Sequence, residues 1–249
     1  MTKRQRLDQL LVDRGLAQNR TRAHALILAG SVFSGENRLE KAGHQVDPDM
    51  PVKIQEKSHP WASRGGVKLK HALDYFSIKV DGLVCLDIGS STGGFTDVLL
   101  HSGAVKVYAI DVGRGQLDWR LRKNPRVVVL EGVNARYLRA DQIKDEPSLV
   151  VCDTSFIGLK TVLPAALKLT NHASTLIALI KPQFEVGKSR VGKGGVVRDP
   201  DLHQEVCKDI ENWLNSKMGW SPIGITESPI KGPKGNREFL IAALNQVCA

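Results

Sequence analysis

No apolar run in this sequence approaches a membrane span. The longest, Leu176-Ile177-Ala178-Leu179-Ile180, is a single short stretch, against the roughly twenty residues that a spanning helix needs. The first residues, Met1-Thr2-Lys3-Arg4-Gln5-Arg6-Leu7-Asp8, hold no apolar core of a secretory leader. Cysteine is scarce, and Cys85, Cys152, Cys207 and Cys248 never fall in C-x-x-C spacing. That excludes a disulfide frame and a zinc knuckle, and it points to a reducing, cytoplasmic location. No His/Cys cluster suggests a metal site. No internal repeat is present, which excludes a solenoid. Acidic residues are outnumbered, 26 against 35 Lys and Arg, for a net charge of +9. Such an excess fits a polyanionic partner, nucleic acid or an anionic surface. The plainer alternative is a generically basic soluble protein.

The basic residues are concentrated early. Leu7, Leu10 and Leu11 are spaced as one face of a short helix over residues about 5–14, ended by Gly15. Asn19 can cap a second helix, with Ala23, Leu26 and Ile27 as its stripe and Gly30 as its stop. Arg4, Arg6, Arg14, Arg20 and Arg22 avoid both stripes, so they can share a solvent face. Guanidinium groups are planar, permanently charged and bidentate toward phosphate. Short strand-like pieces follow at Ser31–Ser34 and Val52–Ile54. The pattern Arg6-Leu7-Asp8-x-x-Leu11-x-x-Arg14-Gly15, Arg20-x-Arg22-Ala23 and Ile27-x-x-Gly30-x-Val32 resembles the RNA-binding domain known from ribosomal protein S-four. The resemblance implies docking on structured RNA; a merely solvated helix face is the other reading. We place this small α+β domain at 1–57, a Pro60-stiffened linker at 58–63, and a larger domain at 64–249.

In the larger domain strands and helices alternate. Strand patterns fall at Leu83–Ile88, Val105–Ile110, Val127–Leu130, Leu149–Cys152 and Leu176–Ile180. Helical patterns separate most of them, notably Leu159–Leu169 and Leu202–Met218. Two last strands, near Ile223–Glu227 and Glu238–Leu244, are joined too closely for a helix, so they should pair antiparallel. The expected fold is α/β: a doubly wound, mostly parallel sheet with one antiparallel strand. Val186–Val197, rich in Gly and Lys, reads as a mobile loop.

Ligands of such sheets sit beyond the carboxyl ends of the strands. The first strand runs into Asp87-Ile88-Gly89-Ser90-Ser91-Thr92-Gly93-Gly94-Phe95-Thr96. Glycine there lets a ligand approach the backbone. The leading acid suits a cationic or hydroxyl-rich ligand better than a diphosphate. This loop resembles that of S-adenosylmethionine methyltransferases; a plain βα turn is the alternative. Asp111, ending the second strand, is placed to bind ribose hydroxyls, or else to cap a helix. Asn134, after the third, is placed to contact adenine. Asp153 and Lys181 end neighbouring strands, while Lys68 precedes the sheet and Glu238 opens its last strand. A lysine after a fully apolar strand is unusual, and burial can lower its pKa toward that of a base. The four form either one network or two ordinary salt bridges.

Ser63-Arg64-Gly65-Gly66-x-Lys68-Leu69, the Asp87–Thr96 loop, Asp153-x-Ser155-Phe156, Lys181-Pro182-Gln183-Phe184-Glu185 and Gly235-Asn236-x-Glu238-Phe239 recur in this order. In that order they resemble the TlyA/hemolysin A family of ribosomal RNA 2′-O-methyltransferases, of the FtsJ-like class. The resemblance covers nearly the entire chain. It implies a Rossmann-like domain binding S-adenosylmethionine through Asp87, Gly89, Ser90, Gly93, Gly94, Phe95, Thr96, Asp111 and Asn134, with no metal. It implies a catalytic Lys68-Asp153-Lys181-Glu238 tetrad, in which Lys181 helps remove the ribose 2′-hydroxyl proton. It implies ribosomal RNA or ribosomal subunits as partner and no stable membrane association; oligomeric state is left open. Arg64, Lys188, Arg190, Lys193 and Arg198 are placed to steer RNA phosphates. Two rival readings are a membrane-active hemolysin and a ribosome-assembly factor that binds the methyl donor without turnover.

Overall fold

The computed structural model describes residues 4–35, 37–54 and 59–245. Cys248 and the expected boundary between 57 and 58 lie outside these residues. The chain divides into two compact units, 1–64 and 65–249.

In the first unit, β1 (Gln5–Arg6) leads into α1 (Leu7–Asp13), and α2 (Arg20–Leu28) follows. The Asn19 side chain accepts a hydrogen bond from Arg22 N at 2.8 Å, a cap that fixes the start of α2. Four short strands complete the unit: β2 (Val32–Ser34), β3 (Asn37–Arg38), β4 (Gln45–Val46) and β5 (Lys53–Ile54). β2 pairs with β3 and β5, and β1 with β4, all antiparallel. Leu7, Leu10, Leu11, Ala23, Ile27 and Val32 form its core. The helical stripes read from the sequence thus face inward together.

The second unit opens with α3 (Gly65–Tyr75). Then come β6 (Val84–Ile88), α4 (Gly94–His101), β7 (Lys106–Asp111), α5 (Trp119–Arg122) and β8 (Val127–Glu131). β9 (Leu149–Cys152), α6 (Leu159–Leu167), β10 (Thr175–Ile180), α7 (Pro182–Glu185), α8 (Pro200–Met218), β11 (Trp220–Glu227) and β12 (Phe239–Asn245) complete it. Seven strands form one sheet in the order β11-β12-β10-β9-β6-β7-β8. β6, β7, β8, β9 and β10 run parallel to one another, whereas β12 runs antiparallel to both β10 and β11. The sheet is therefore mostly parallel with one reversed strand, as the alternating pattern implied. Its strands are apolar on both faces because helices cover both. β9 and β10 are buried almost throughout. Cys85 and Cys152 lie inside this core as free thiols, and burial pushes each up to about 12.

Register sets the rim. Ile88 lies beside Ile110 and Cys152, so the ends of β6, β7 and β9 are level. Ile180 lies beside Phe239. Because β12 is reversed, its first residues stand where β10 ends. Glu238 thereby reaches the same rim as Lys181.

One expectation is corrected here. Val186–Val197 is not a free loop. Lys234 Nζ donates to Gly194 O at 2.6 Å, and the Asn236 amide donates to Gly195 O at 3.0 Å. Asn236 Oδ1 also accepts from Val197 N at 3.1 Å, and Gly192 bridges to Val196. Glycine and lysine signal mobility only when their backbone is unpaired; here the 228–238 hairpin supplies the partners.

Candidate active site

The β6–α4 turn is built by three glycines with different work. Gly89 has φ +82°, and a Cβ there would meet the Asp153 backbone oxygen at 2.7 Å. Gly93 has φ +93°, and its missing Cβ makes room for Leu117 and Leu121, so it serves packing of the turn. Gly94 begins α4 and is buried with Phe95 and Thr96.

Asp87 lies wholly buried beneath this turn. Thr96 Oγ1 donates to its Oδ2 at 2.6 Å, while Oδ1 has no partner. Burial pushes this carboxyl up to about 7, against the opposing hydrogen bonds from Thr96. An unpartnered buried carboxylate oxygen beneath the turn suits a group that brings a donor or a positive charge. Thr96, buried and spent on Asp87, orients that carboxylate; Phe95 is packed in the core.

Asp111 accepts from Ser91 N at 2.8 Å and from Gly113 N at 2.7 Å. It ties the glycine turn to the turn after β7, and each oxygen keeps a lone pair for a ribose hydroxyl. Asn134 Oδ1 accepts from Arg136 N at 3.1 Å and caps a short 3₁₀ turn, Ala135–Tyr137. Ser90 is held by its backbone N donating to Ile110 O at 3.1 Å.

Lys68, Asp153, Lys181 and Glu238 come together. Lys68 Nζ donates to Glu238 Oε2 at 2.7 Å and lies 3.8 Å from Asp153 Oδ2. Lys181 Nζ lies 2.6 Å from Asp153 Oδ1 and donates to Ser155 Oγ at 3.0 Å. Lys181 is 6% exposed and Glu238 1%. The separate salt bridges that spacing left open are joined through Asp153 into one network. Its four charges cancel, which is what lets them be buried together.

The expectation of a lowered lysine pKa is corrected. Burial does oppose the Lys181 charge, but Asp153 and then Glu238 outweigh it and hold the ammonium above its ordinary value. Burial likewise opposes the Asp153 charge, and Lys181 and Lys68 outweigh it, holding that carboxyl below its ordinary value.

Residues that sequence reasoning passed over surround this network. Phe156 is 90% exposed, has φ +67°, and meets Phe184 in a tilted contact with ring centroids 5.2 Å apart. A left-handed phenylalanine in water is costly on both counts, and such strain collects at working sites. The loop that carries it is fastened at both ends. Asp153 N donates to Ile88 O at 3.0 Å, and Leu159 N donates to Glu185 Oε1 at 2.8 Å. The motif Asp153-x-Ser155-Phe156 was the signal available in advance, although it assigned Phe156 no role.

Gly232 completes the site from the far side. Its φ of −71° is open to any residue, yet a Cβ there would collide with the Glu238 carboxylate. Gly232→Ala is therefore expected to displace Glu238 from Lys68. Stability should fall by about 1–3 kcal/mol, as overpacking does, and turnover should fall with it. A melting curve beside a methyl-transfer assay measures both.

The predicted phosphate-contacting arginines are not equivalent. Asp8 is buried and receives Arg6 at 2.9 Å and Arg20 at 3.0 Å. The hydrogen bond from Arg6 is the largest influence that brings its carboxyl down to about 2, with Arg20 adding to it against burial. Arg14 donates to Met50 O at 2.7 Å and to Pro48 O. Arg4 and Arg22 are exposed with no side-chain partner among the described residues. The Arg64 stem passes against Gly30. Arg190 pairs with Glu205 at 2.5 Å, so it is partly neutralised; the side chain of Lys188 lies outside the described set. Among the described residues no cluster of potential metal ligands occurs, and no helix is long and apolar enough to cross a membrane.

Comparison with known proteins places this geometry. The FtsJ-like methyltransferase family matches residues 61–244. The 16S/23S rRNA (cytidine-2′-O)-methyltransferase TlyA of Mycobacterium tuberculosis is 46% identical over 242 residues, 97% of this chain and 90% of that protein. Hemolysin A of Brachyspira hyodysenteriae is 39% identical over 236 residues, 94% of this chain and 98% of that protein. A solved structure titled "Putative hemolysin from Streptococcus thermophilus" superposes with a TM-score of 0.76 at 38% identity, covering 99% of this chain and 90% of that one.

Proposed function

The chain belongs to the FtsJ-like methyltransferase family, and from that premise we propose that it transfers a methyl group from S-adenosylmethionine to a ribose 2′-hydroxyl of ribosomal RNA. The observation that carries this reading is the buried Lys68-Asp153-Lys181-Glu238 network, level with the glycine turn at one sheet rim. When bound, S-adenosylmethionine would supply a methyl on a positively charged sulfur, its C–S bond giving way to the new C–O bond while the 2′-hydroxyl proton passes to solvent water.

The residues present fit that donor. Asp87 offers an unpartnered carboxylate oxygen to its positive end. The open backbone at Gly89 and Ser91 would let it lie close, and Asp111 would take the ribose hydroxyls. Ser90, Gly93, Gly94, Phe95 and Thr96 shape the turn from beneath, and Asn134 would border the adenine through its capped turn. For the acceptor, Lys181 is the central group. It is held charged, so it acts by donating a hydrogen bond to the 2′-oxygen and aligning a lone pair for in-line attack. Positioning is the larger part of such catalysis, because the methyl is already activated. Asp153 keeps Lys181 charged, and the Lys68–Glu238 pair keeps Asp153 in place.

Phe156 would receive the base of the target nucleotide. An exposed ring beside a ribose site is a stacking surface for an unstacked base of single-stranded RNA. Phe156→Ala is expected to raise the KM for RNA by about five- to a hundredfold, the usual worth of one base–aromatic stack. Binding of the methyl donor, measured by calorimetry, should not change.

The 1–57 segment, with Arg4, Arg6, Arg14, Arg20 and Arg22, would bring RNA to the site, assisted by Arg64, and the cytoplasm is where this substrate is met. Asp8 holds Arg6 and Arg20 as a paired, oriented edge, while Arg4 and Arg22 carry the unpaired charge. RNA affinity should accordingly fall with salt. The test of the function is direct. The protein is incubated with methyl-labelled S-adenosylmethionine and ribosomal subunits, and the RNA is digested to nucleosides. Label on a ribose 2′-oxygen supports the reading; label on a base, or none, refutes it.

A further inference from the structure

Lys181 must point one hydrogen at one oxygen, yet nothing in its own side chain supplies direction. The ammonium rotates freely and carries three equivalent donors on a flexible stem. Asp153 Oδ1 is close, at 2.6 Å, and this charge-assisted contact takes up one side of the ammonium but leaves rotation about it open. Glu238 acts on Lys181 only through its charge. A second bond of the ammonium goes to Ser155 Oγ, at 3.0 Å. Ser155 is itself exposed, so the bond lies at the mouth of the site, where an acceptor would enter. It is placed by a loop that Ile88 O and Glu185 fasten at its ends and that Phe156 turns through a left-handed conformation.

We propose that Ser155 is a positioning residue: its hydroxyl fixes the rotation of the Lys181 ammonium so that a remaining N–H is presented to the acceptor oxygen. Asp153 supplies the charge and one contact, and Ser155 supplies the second contact that sets the rotation. The strained backbone at Phe156 then has a second use, since a relaxed loop would carry the Ser155 hydroxyl away from Lys181. The proposal rests on the methyl-transfer reading above. It differs from a free-amine role for Lys181, in which an accepting hydroxyl has no directing function.

The test compares the full-length protein with Ser155→Ala and Ser155→Thr. Turnover is measured on ribosomal subunits between pH 6 and 10, and the Lys181 side-chain ammonium is followed by ¹⁵N NMR in the free protein. Ser155→Ala is expected to lower kcat by about ten- to a hundredfold, the range for a hydrogen bond to a charged group. KM for RNA and donor should hold, and Ser155→Thr should restore kcat. In the wild type, kcat should stay level with rising pH, and the Lys181 ammonium should exchange slowly with water. In Ser155→Ala it should exchange faster. If alanine prevents folding, Ser155→Cys, a poorer acceptor of similar size, carries the same expectations. Equal kcat in wild type and Ser155→Ala overturns the proposal. So does an unchanged ammonium signal, or a wild-type kcat that climbs tenfold per pH unit. Absence of methyl transfer by the wild type overturns the underlying function instead, and the NMR comparison, which needs neither RNA nor donor, still decides Ser155.

Discussion

Lys181→Ala is expected to reduce methyl transfer by about a thousandfold, within the range for losing one preorganised donor or proton-transfer group. Affinity for the methyl donor should be retained. Lys181 bonds only within the Asp153–Ser155 corner of the site, whereas the glycine turn is held by Asp87, Thr96 and Asp111. The variant leaves Asp153 buried with Lys68 at 3.8 Å as its remaining cation. Leaving a buried charge poorly paired is destabilising by a few kcal/mol, so the melting temperature should drop as well. Turnover measured well below that temperature separates the two effects. Wild-type turnover in this variant would mean that the four residues are ordinary ion pairs.

Asp87→Asn is expected to produce a trade of opposite sign, a more stable protein that has lost its donor. The Asp87 carboxyl, pushed by burial to about 7, keeps its proton in the folded state over a range where the unfolded chain, near 3.8, has released it. The folded state is therefore favoured at low pH, and that advantage is lost as pH rises from about 4 through about 7. The full cost of ionising it there is about 4 kcal/mol. Asparagine removes that cost, so the melting temperature should rise at pH 8 and change little at pH 4. Donor binding should move the other way. A cationic ligand favours the ionised carboxylate, so wild-type affinity should weaken below about pH 7, by up to tenfold per unit. Asp87→Asn should bind about ten- to a hundredfold more weakly at pH 8 and show no such pH dependence. Titration calorimetry at several pH values measures this; a flat wild-type profile would exclude Asp87 as the group facing the positive end.

How much of this was readable beforehand depends on whether a residue's role is local. The strands of the large sheet announce themselves as apolar runs ended by polar residues, and Asp87, Asp111, Asp153 and Lys181 follow from those ends alone. Glu238 needed one more step, the short connection that forces its strand to reverse. The two-residue strands β3 and β4 were missed because so brief a pairing leaves no period in a sequence. The Lys181 pKa was misjudged because burial can be inferred from neighbours in sequence, whereas Asp153 and Glu238 act from distant positions. Phe156 and Ser155 stood in a recognised motif, but their roles escaped for another reason. A positive φ and a hydroxyl's distance to an amine are properties of a closed loop, not of residue type. Arg14 looked like a free cation for the same reason, since the carbonyls of Pro48 and Met50 that occupy it come from far along the chain.

The position of β12 has a consequence for how the protein comes into being on the ribosome. It is the last strand of the described chain, yet it lies inside the sheet, between β10 and β11. Until it emerges, β10 and β11 each present an unpaired edge, and such edges invite association with other chains. The residue just before it, Glu238, is also the partner that Lys68 requires. Closure of the sheet and completion of the Lys68–Glu238 pair thus both await the same strand. A chain that stops short of β12 leaves both edges open and Lys68 without that partner.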